Sequence, residues 1–197
     1  MQLSNGTFND SMVSRYIIVS AKLLLPALRA VAENNKGHKA RVVSTTSFAT
    51  EFVFKADYEA YRDGPTRRKA GVVTLYYQSK FLNLVYATEF ARRFENEGIV
   101  SSCVNPGGIS YPPAPRNLTT DLQRTLKGFK RWLIFRILHP APYSALTQLY
   151  AATSEDADDH NGAYFVPWAR KQKLPPASQD PEIGKELWNW LEDQVKK

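Results

Sequence analysis

Arg41-Val42-Val43-Ser44-Thr45-Thr46-Ser47 is a short run dominated by β-branched side chains and closed by a serine, and it reads as a buried strand over Arg41 to Thr46. Its surroundings are helical. From Ser11 to Glu33 the apolar residues Val13, Tyr16, Ile17, Leu23, Leu24, Leu28 and Val31 keep roughly helical spacing, with Asp10 and Ser11 as candidate N-caps and Pro26 as a candidate kink. Asn34 to Lys39 is a polar turn. After the strand, Phe48 to Ala70 reads as a long loop punctuated by Gly64-Pro65, and long loops inside compact domains are usually functional. Helical periodicity resumes at Val72 and runs to Phe94, Gly98 ends it, and Ile99 to Val104 reads as a second strand.

Asn105-Pro106-Gly107-Gly108 breaks that strand and leads into the proline-rich stretch Tyr111 to Arg116. Further helical patterns cover Thr120 to Leu138 and Pro142 to Ala152, where Pro142 suits a first turn. Ala163 to Val166 is a third strand, and a last helix spans Pro181 to Val195 behind Asp180 as its cap. This alternation of helices and strands argues for an α/β domain with parallel strands. Three strands make a small sheet with exposed edges, a liability in isolation, so the pattern is that of part of a larger sheet. With no internal repeat, the 197 residues read as a single domain.

Composition narrows the class further. Hydrophobic residues make up 43% of the chain and charged ones 23%, as in ordinary globular domains. One cysteine, Cys103, leaves no internal disulfide framework and fits a reducing compartment. Met1 to Asp10 lack the basic and apolar regions of a signal peptide, and no apolar stretch is long enough for a membrane span, so a cytoplasmic location is expected. The sequons at Asn5 and Asn117 then read as chance matches. The net charge of +7 includes one tight run, Arg67-Arg68-Lys69, without the motif or the aromatic interleaving of a nucleic-acid surface, so no nucleic-acid partner is expected.

The chemistry is carried by Ser47, Tyr76 and Lys80. Tyr76 and Lys80 stand four apart on one helix and share a face. An ammonium beside a phenol favours the phenolate, which lets a tyrosine exchange a proton with a substrate oxygen near neutral pH. Ser47, at the carboxyl end of a strand, can hydrogen-bond the same oxygen. A tyrosine with a lysine four residues on also occurs by chance on many surfaces, although among the ten tyrosines here only Tyr76 has one. The pair therefore needs context.

That context is a resemblance. Arg41 to Ser47 resembles the strand and serine motif of short-chain dehydrogenases/reductases. Tyr76-Tyr77-Gln78-Ser79-Lys80-Phe81-Leu82-Asn83 resembles their active-site helix in the retinol-dehydrogenase-like branch, and Ser101-Ser102-Cys103-Val104-Asn105-Pro106-Gly107 their next strand and Pro-Gly turn. Leu23 to Leu28, Leu138 to Tyr150 and Tyr164 to Arg170 fit as well, most closely in fungal members. The resemblance implies a partial Rossmann-like fold, a doubly wound parallel sheet. It implies a nicotinamide-dependent oxidoreductase, using NADP or NAD, that interconverts an alcohol and a carbonyl. By it Tyr76 is the general acid and base, Lys80 supports it and binds the nicotinamide ribose beside it, and Ser47 orients the substrate oxygen. Pro106 and Gly107 line the nicotinamide pocket, and Thr120 contacts the carboxamide. It also implies a small-molecule substrate and a possible homo-oligomer, since members often pair through the Tyr-Lys helix.

The chain departs from that pattern in three places. It reads as the carboxyl-terminal catalytic half, lacking the first βαβ unit: no strand precedes the first helix, and none of the ten glycines forms the glycine-rich turn that holds a pyrophosphate at a helix amino end. The position of the asparagine that completes the family's catalytic tetrad falls on Val13, with Ser14 the nearest polar residue. Gly108 to Arg116 reads as a stiff insertion that either displaces Thr120 or loops outward. Two readings follow: an oxidoreductase, or a catalytically incompetent fragment or interaction module derived from that family.

Overall fold

The computed structural model describes residues 10–34, 37, 39–62, 64–110 and 139–196. In chain order its elements are α1 (Asp10–Asn34), β1 (Ala40–Thr45), α2 (Pro65–Arg93), β2 (Ile99–Val104), β3 (Ile109–Ser110) and β4 (His139–Pro140). There follow α3 (Ala141–Thr153), β5 (Tyr164–Val166), β6 (Arg170–Gln172), α4 (Pro176–Gln179) and α5 (Pro181–Val195). Short 3-10 turns occupy Phe48–Phe52, Glu59–Tyr61, Glu95–Glu97 and Glu155–Asp159.

The main sheet has four strands in the order β1-β2-β5-β6. β1 and β2 run parallel with Ala40 opposite Ile99 and Thr45 opposite Val104, and β5 continues the parallel set beside β2. The fourth strand corrects the expectation of three. β6 pairs antiparallel to β5, and its three residues, Arg170, Lys171 and Gln172, are all exposed. An all-polar edge strand carries no apolar alternation by which a sequence could announce it.

α1, α2 and α5 pack on one face of this sheet and α3 on the other. The side chains of β1 divide accordingly, as strand geometry requires. Val42 joins Ile18, Phe81, Tyr86, Phe90, Ile99 and Leu187 under the three helices, whereas Val43 joins Val104, Ala151, Ala163 and Phe165 under α3. Burial of such aliphatic and aromatic groups, at about 1.5–3 kcal/mol each, is the main stabilising term. α5 closes the first layer through a close approach. Gly184 lies against Glu89, where an added Cβ would come within 2.7 Å of the carboxylate. That buried carboxylate is neutralised by Arg92 and Arg93, and the Arg93 guanidinium lies 4.5 Å from the Trp188 ring.

Several local expectations hold, and two change. Asp180 caps α5 by accepting from the Glu182 amide at 2.9 Å, and Pro142 falls in the first turn of α3. α1 continues through Pro26 as one helix. The Phe48 to Ala70 loop is less irregular than its composition suggests. It folds into two 3-10 turns, and α2 already begins at Pro65, interrupted at Gly71, whose φ of 74° and ψ of 163° leave the helical region. Only the segment from Val72 has apolar periodicity, because Pro65 to Ala70 is a polar turn ahead of the break. The expected helix at Thr120 to Leu138, like Thr120 itself, lies outside the described residues.

β1 forms one margin of the sheet, and among the described residues no strand adjoins its outer side. The amides of Ala40 and Thr46 reach the carbonyls of Gly98, just ahead of β2, and Val104, at its end, so the alternate residues Arg41, Val43 and Thr45 turn their main-chain groups outward. A cleft at the amino end of this margin is walled by Leu28 and Val31 of α1 and by Ala152 and Thr153 of α3. The flanking helices carry exposed apolar residues, Leu23, Leu24 and Val31 on α1 and Leu146 and Leu149 on α3.

Candidate active site

The carboxyl ends of β1, β2 and β5 meet at one edge of the sheet, where open parallel sheets place their ligands. Beyond β1 the chain is held by buried Thr46. Its amide donates to Val104 at 2.8 Å, and its hydroxyl donates to the Lys80 main-chain carbonyl at 2.7 Å. Asn83 adds a second tie, its side-chain amide donating to the Thr45 carbonyl at 3.0 Å. Together these bonds fasten the serine-bearing strand end to the lysine-bearing turn of α2.

Ser47 follows in extended conformation and caps the first 3-10 turn, its Oγ accepting from the Ala49 amide at 3.3 Å. On α2, Lys80 Nζ lies 5.8 Å from the centre of the Tyr76 ring, as the spacing of four predicts. Ser47, Tyr76 and Lys80 are all half-buried, reachable from solvent yet partly shielded. Ser79, on the same turn of the helix, donates to the Tyr76 carbonyl at 2.8 Å. Behind the lysine sits fully buried Cys103, whose thiol burial pushes strongly towards the protonated form, against the opposing pull of the Lys80 ammonium. This cysteine is a packing group, not a nucleophile.

After β2, Asn105 shapes the turn that carries Pro106 and Gly107. Its amide donates to Phe165 at 2.8 Å, and its side-chain oxygen accepts from the Gly107 amide at 2.9 Å. Gly107 has φ of +81°, and a Cβ there would stand 2.6 Å from Cγ of Pro167. Glycine is required by the backbone and by the neighbour alike. From Gly108 the chain enters β3, which pairs in parallel with β4, while the His139 amide donates to Gly108 at 2.9 Å. Residues 110 and 139 are thus brought together at the base of the intervening segment. The rest of the expected insertion, 111–116, lies outside the described residues, as do the side chains of Val13 and Ser14.

Of the expected site residues, Ser47, Tyr76, Lys80, Pro106 and Gly107 are therefore placed at or beside the carboxyl edge of the sheet. Sequence reasoning missed Thr46 and Asn83 as the fasteners and Asn105 as the turn-former. Asn83 stands three residues beyond Lys80 and so near it on the helix, which was the available signal.

No family model matches this chain. A short-chain dehydrogenase/reductase of Armillaria gallica is 42% identical over 175 residues, covering 89% of this chain and 53% of the relative. The chain belongs to the short-chain dehydrogenase/reductase family. An uncharacterized oxidoreductase of Schizosaccharomyces pombe is 31% identical over 181 residues, covering 90% of this chain and 51% of that one. Human dehydrogenase/reductase SDR family member 13 is 29% identical over 167 residues, covering 84% and 41%. This short-chain dehydrogenase/reductase chain spans about half the length of the curated relatives it matches. Among solved structures, the NADPH-bound carbonyl reductase from chicken fatty liver superposes with a TM-score of 0.53 at 17% identity, over 88% of this chain and 60% of that one. That likeness establishes the Rossmann-like fold.

Proposed function

We propose that the chain carries the catalytic half of an NAD(P)-dependent oxidoreductase that interconverts an alcohol and a carbonyl compound. The observation that carries this reading is the placement of Lys80 Nζ 5.8 Å from the Tyr76 ring, with the end of β1 that bears Ser47 bonded to the Lys80 carbonyl. The residues present fit the nicotinamide end of the cofactor. The Pro106-Gly107 turn at the carboxyl edge has no room for a side chain at Gly107, and the half-buried lysine offers an ammonium to ribose hydroxyls. For the pyrophosphate end, no glycine-rich strand–turn–helix occurs among the described residues.

When bound, the nicotinamide supplies a hydride to the carbonyl carbon or accepts one from the alcohol carbon. Everything else falls to the chain. In the reducing direction the Tyr76 phenol gives its proton to the substrate oxygen, and in the oxidising direction the phenolate takes it back. Lys80 places its ammonium 5.8 Å from the centre of that ring, on the side chain from which the proton is to leave. Ser47 donates a hydrogen bond to the same oxygen and fixes its direction. Val13 stands where the family pattern has the asparagine of the proton relay, a valine cannot hold a relay water, and Ser14 is the nearest polar residue in sequence.

Titration of the purified chain with NADPH and NADH, following nucleotide fluorescence, tests the reading. Binding is expected, and its absence at millimolar nucleotide would count against nicotinamide chemistry by this chain. Tyr76→Phe should abolish turnover while leaving nucleotide affinity unchanged.

The outward-facing margin of β1 favours a second reading, a catalytically incompetent fragment or an interaction module. It requires association or heat lability in isolation. A monomer that unfolds cooperatively with a high midpoint would count against it.

A further inference from the structure

Tyr164 of β5 and Gln172 of β6 stand opposite each other in the antiparallel pair, and both side chains reach the 3-10 turn that follows Ser47. Gln172 does so from the exposed side, donating to the Glu51 carboxylate at 3.2 Å. Tyr164 arrives from inside. It lies opposite Cys103 in the parallel register, so its side chain shares a sheet face with Cys103 and with Asn105 two residues on. Three buried polar side chains therefore converge beneath the candidate site: Thr50, 0% exposed, Tyr164, 1%, and Asn105, 6%.

Two of the three are already engaged, each with a different turn of the site. The Thr50 hydroxyl donates to the Ser47 carbonyl at 3.0 Å, and the Asn105 side-chain oxygen accepts from the Gly107 amide at 2.9 Å. What remains is an acceptor, the Thr50 oxygen, and a donor, the Asn105 side-chain NH2. A hydroxyl can accept from one neighbour while donating to the other. The Tyr164 hydroxyl is shut away from water and completes a hydrogen bond to neither. Burial pushes its phenol above the ordinary tyrosine range, and Thr50 and Asn105 both act against that rise, so both lie within its reach. Bonds of this kind are often long until ligands fix the groups around them. A buried hydroxyl without a full bond burdens folding, and phenylalanine would fill the same space without that cost. Stability does not explain the group, whereas the two turns it adjoins do.

We propose that Tyr164 is a positioning residue of this site, whose hydroxyl joins Thr50 to Asn105 and so holds the serine turn and the Pro106-Gly107 turn in fixed register. The parts played by Ser47 and Gly107 rest on the oxidoreductase reading, but the joining of the two turns does not.

Tyr164→Phe removes the hydroxyl and keeps the ring. Its thermal midpoint should stay level or rise, because two incomplete bonds do not offset the burial of the hydroxyl. Amide exchange at Ala49 and Thr50 in the serine turn, and at Gly107 in the other, should quicken at least threefold, with Val42 and Ser44 of β1 unchanged. Thr50→Val tests passage between the turns. It should change exchange at Gly107 at least twofold in the tyrosine chain and leave it unchanged on the Tyr164→Phe background. With NADPH and hexanal as the probe substrate, Tyr164→Phe should lower kcat at least fivefold while shifting the nucleotide dissociation constant less than twofold. A lower midpoint or a failure to fold would make Tyr164 a packing residue and overturn the proposal. Unchanged exchange at both turns would do the same, as would a Thr50→Val effect at Gly107 that is equal with and without the hydroxyl. Altered exchange with unaltered kcat would reject the positioning role. Quickened exchange at both turns, in a chain without nicotinamide-dependent turnover, would uphold the coupling and overturn the oxidoreductase reading instead.

Discussion

The hydroxyl of Thr46, on the residue before the candidate serine, donates to the main-chain carbonyl of Lys80, on the helix that carries the candidate tyrosine and lysine. The bond joins positions 34 apart in sequence and is 2.7 Å long. Thr46 is 2% exposed, so water cannot replace its hydroxyl if it is lost. Thr46→Val keeps the shape of the side chain and removes the donor. The expected cost is about 1 kcal/mol of stability, read as a lower urea midpoint at unchanged slope. Thr46→Ser should recover most of it.

Gly107 is confined by its own backbone and by Pro167. Gly107→Ala must place a Cβ 2.6 Å from Cγ of Pro167 while holding φ at +81°. A loss of about 1–3 kcal/mol is expected from overpacking and left-handed strain combined. Thermal unfolding of the variant measures it, and a midpoint equal to that of the unsubstituted chain would contradict the close approach.

At the other end of the sheet, acid should loosen α1. Arg29 holds the Glu97 carboxylate below the usual glutamate range through a two-bond pair of 2.7 and 3.0 Å, and Lys22 does the same for Glu192. Since the folded-state values are depressed, the stabilisation is present above the unfolded glutamate pKa and is lost as pH falls through the folded one. The pairs are solvent-exposed, so the contribution is small and screened by salt. Amide exchange in α1 should quicken below the ordinary glutamate range, and less steeply in high salt.

The margin of β1 should be visible in amide exchange. Arg41, Val43 and Thr45 turn their amides away from β2, whereas those of Val42 and Ser44 face it. Faster exchange at the first three than at the second two is expected for the isolated chain at low concentration. Equal protection that grows with protein concentration would mean that the margin is covered by another copy.

Much of the fold was legible in the order of residues because its signals are local. The β-branched run at Arg41 to Thr46, the apolar periodicity from Val72 and the Asp180 cap each act within a few residues, and each is found where expected. The proximity of Tyr76 and Lys80 is equally local, since a spacing of four on a helix brings two side chains to one face. The early turn of α2 escaped because it is polar on all sides, and β6 because Arg170, Lys171 and Gln172 have no buried face to pattern.

By itself, then, the sequence determined the long helices α1, α3 and α5, α2 from Val72 onward, the three apolar strands and the pairing of Tyr76 with Lys80, all set by backbone period and side-chain chemistry over short distances. Only the tertiary structure decided which strand lies at the margin, which side chains fasten Ser47 to the tyrosine helix, why residue 107 must be glycine, and that Tyr164 reaches both Thr50 and Asn105. Each of these depends on contacts between segments tens of residues apart. Their partners are chosen by packing around the shared sheet, and no periodicity within either segment encodes them.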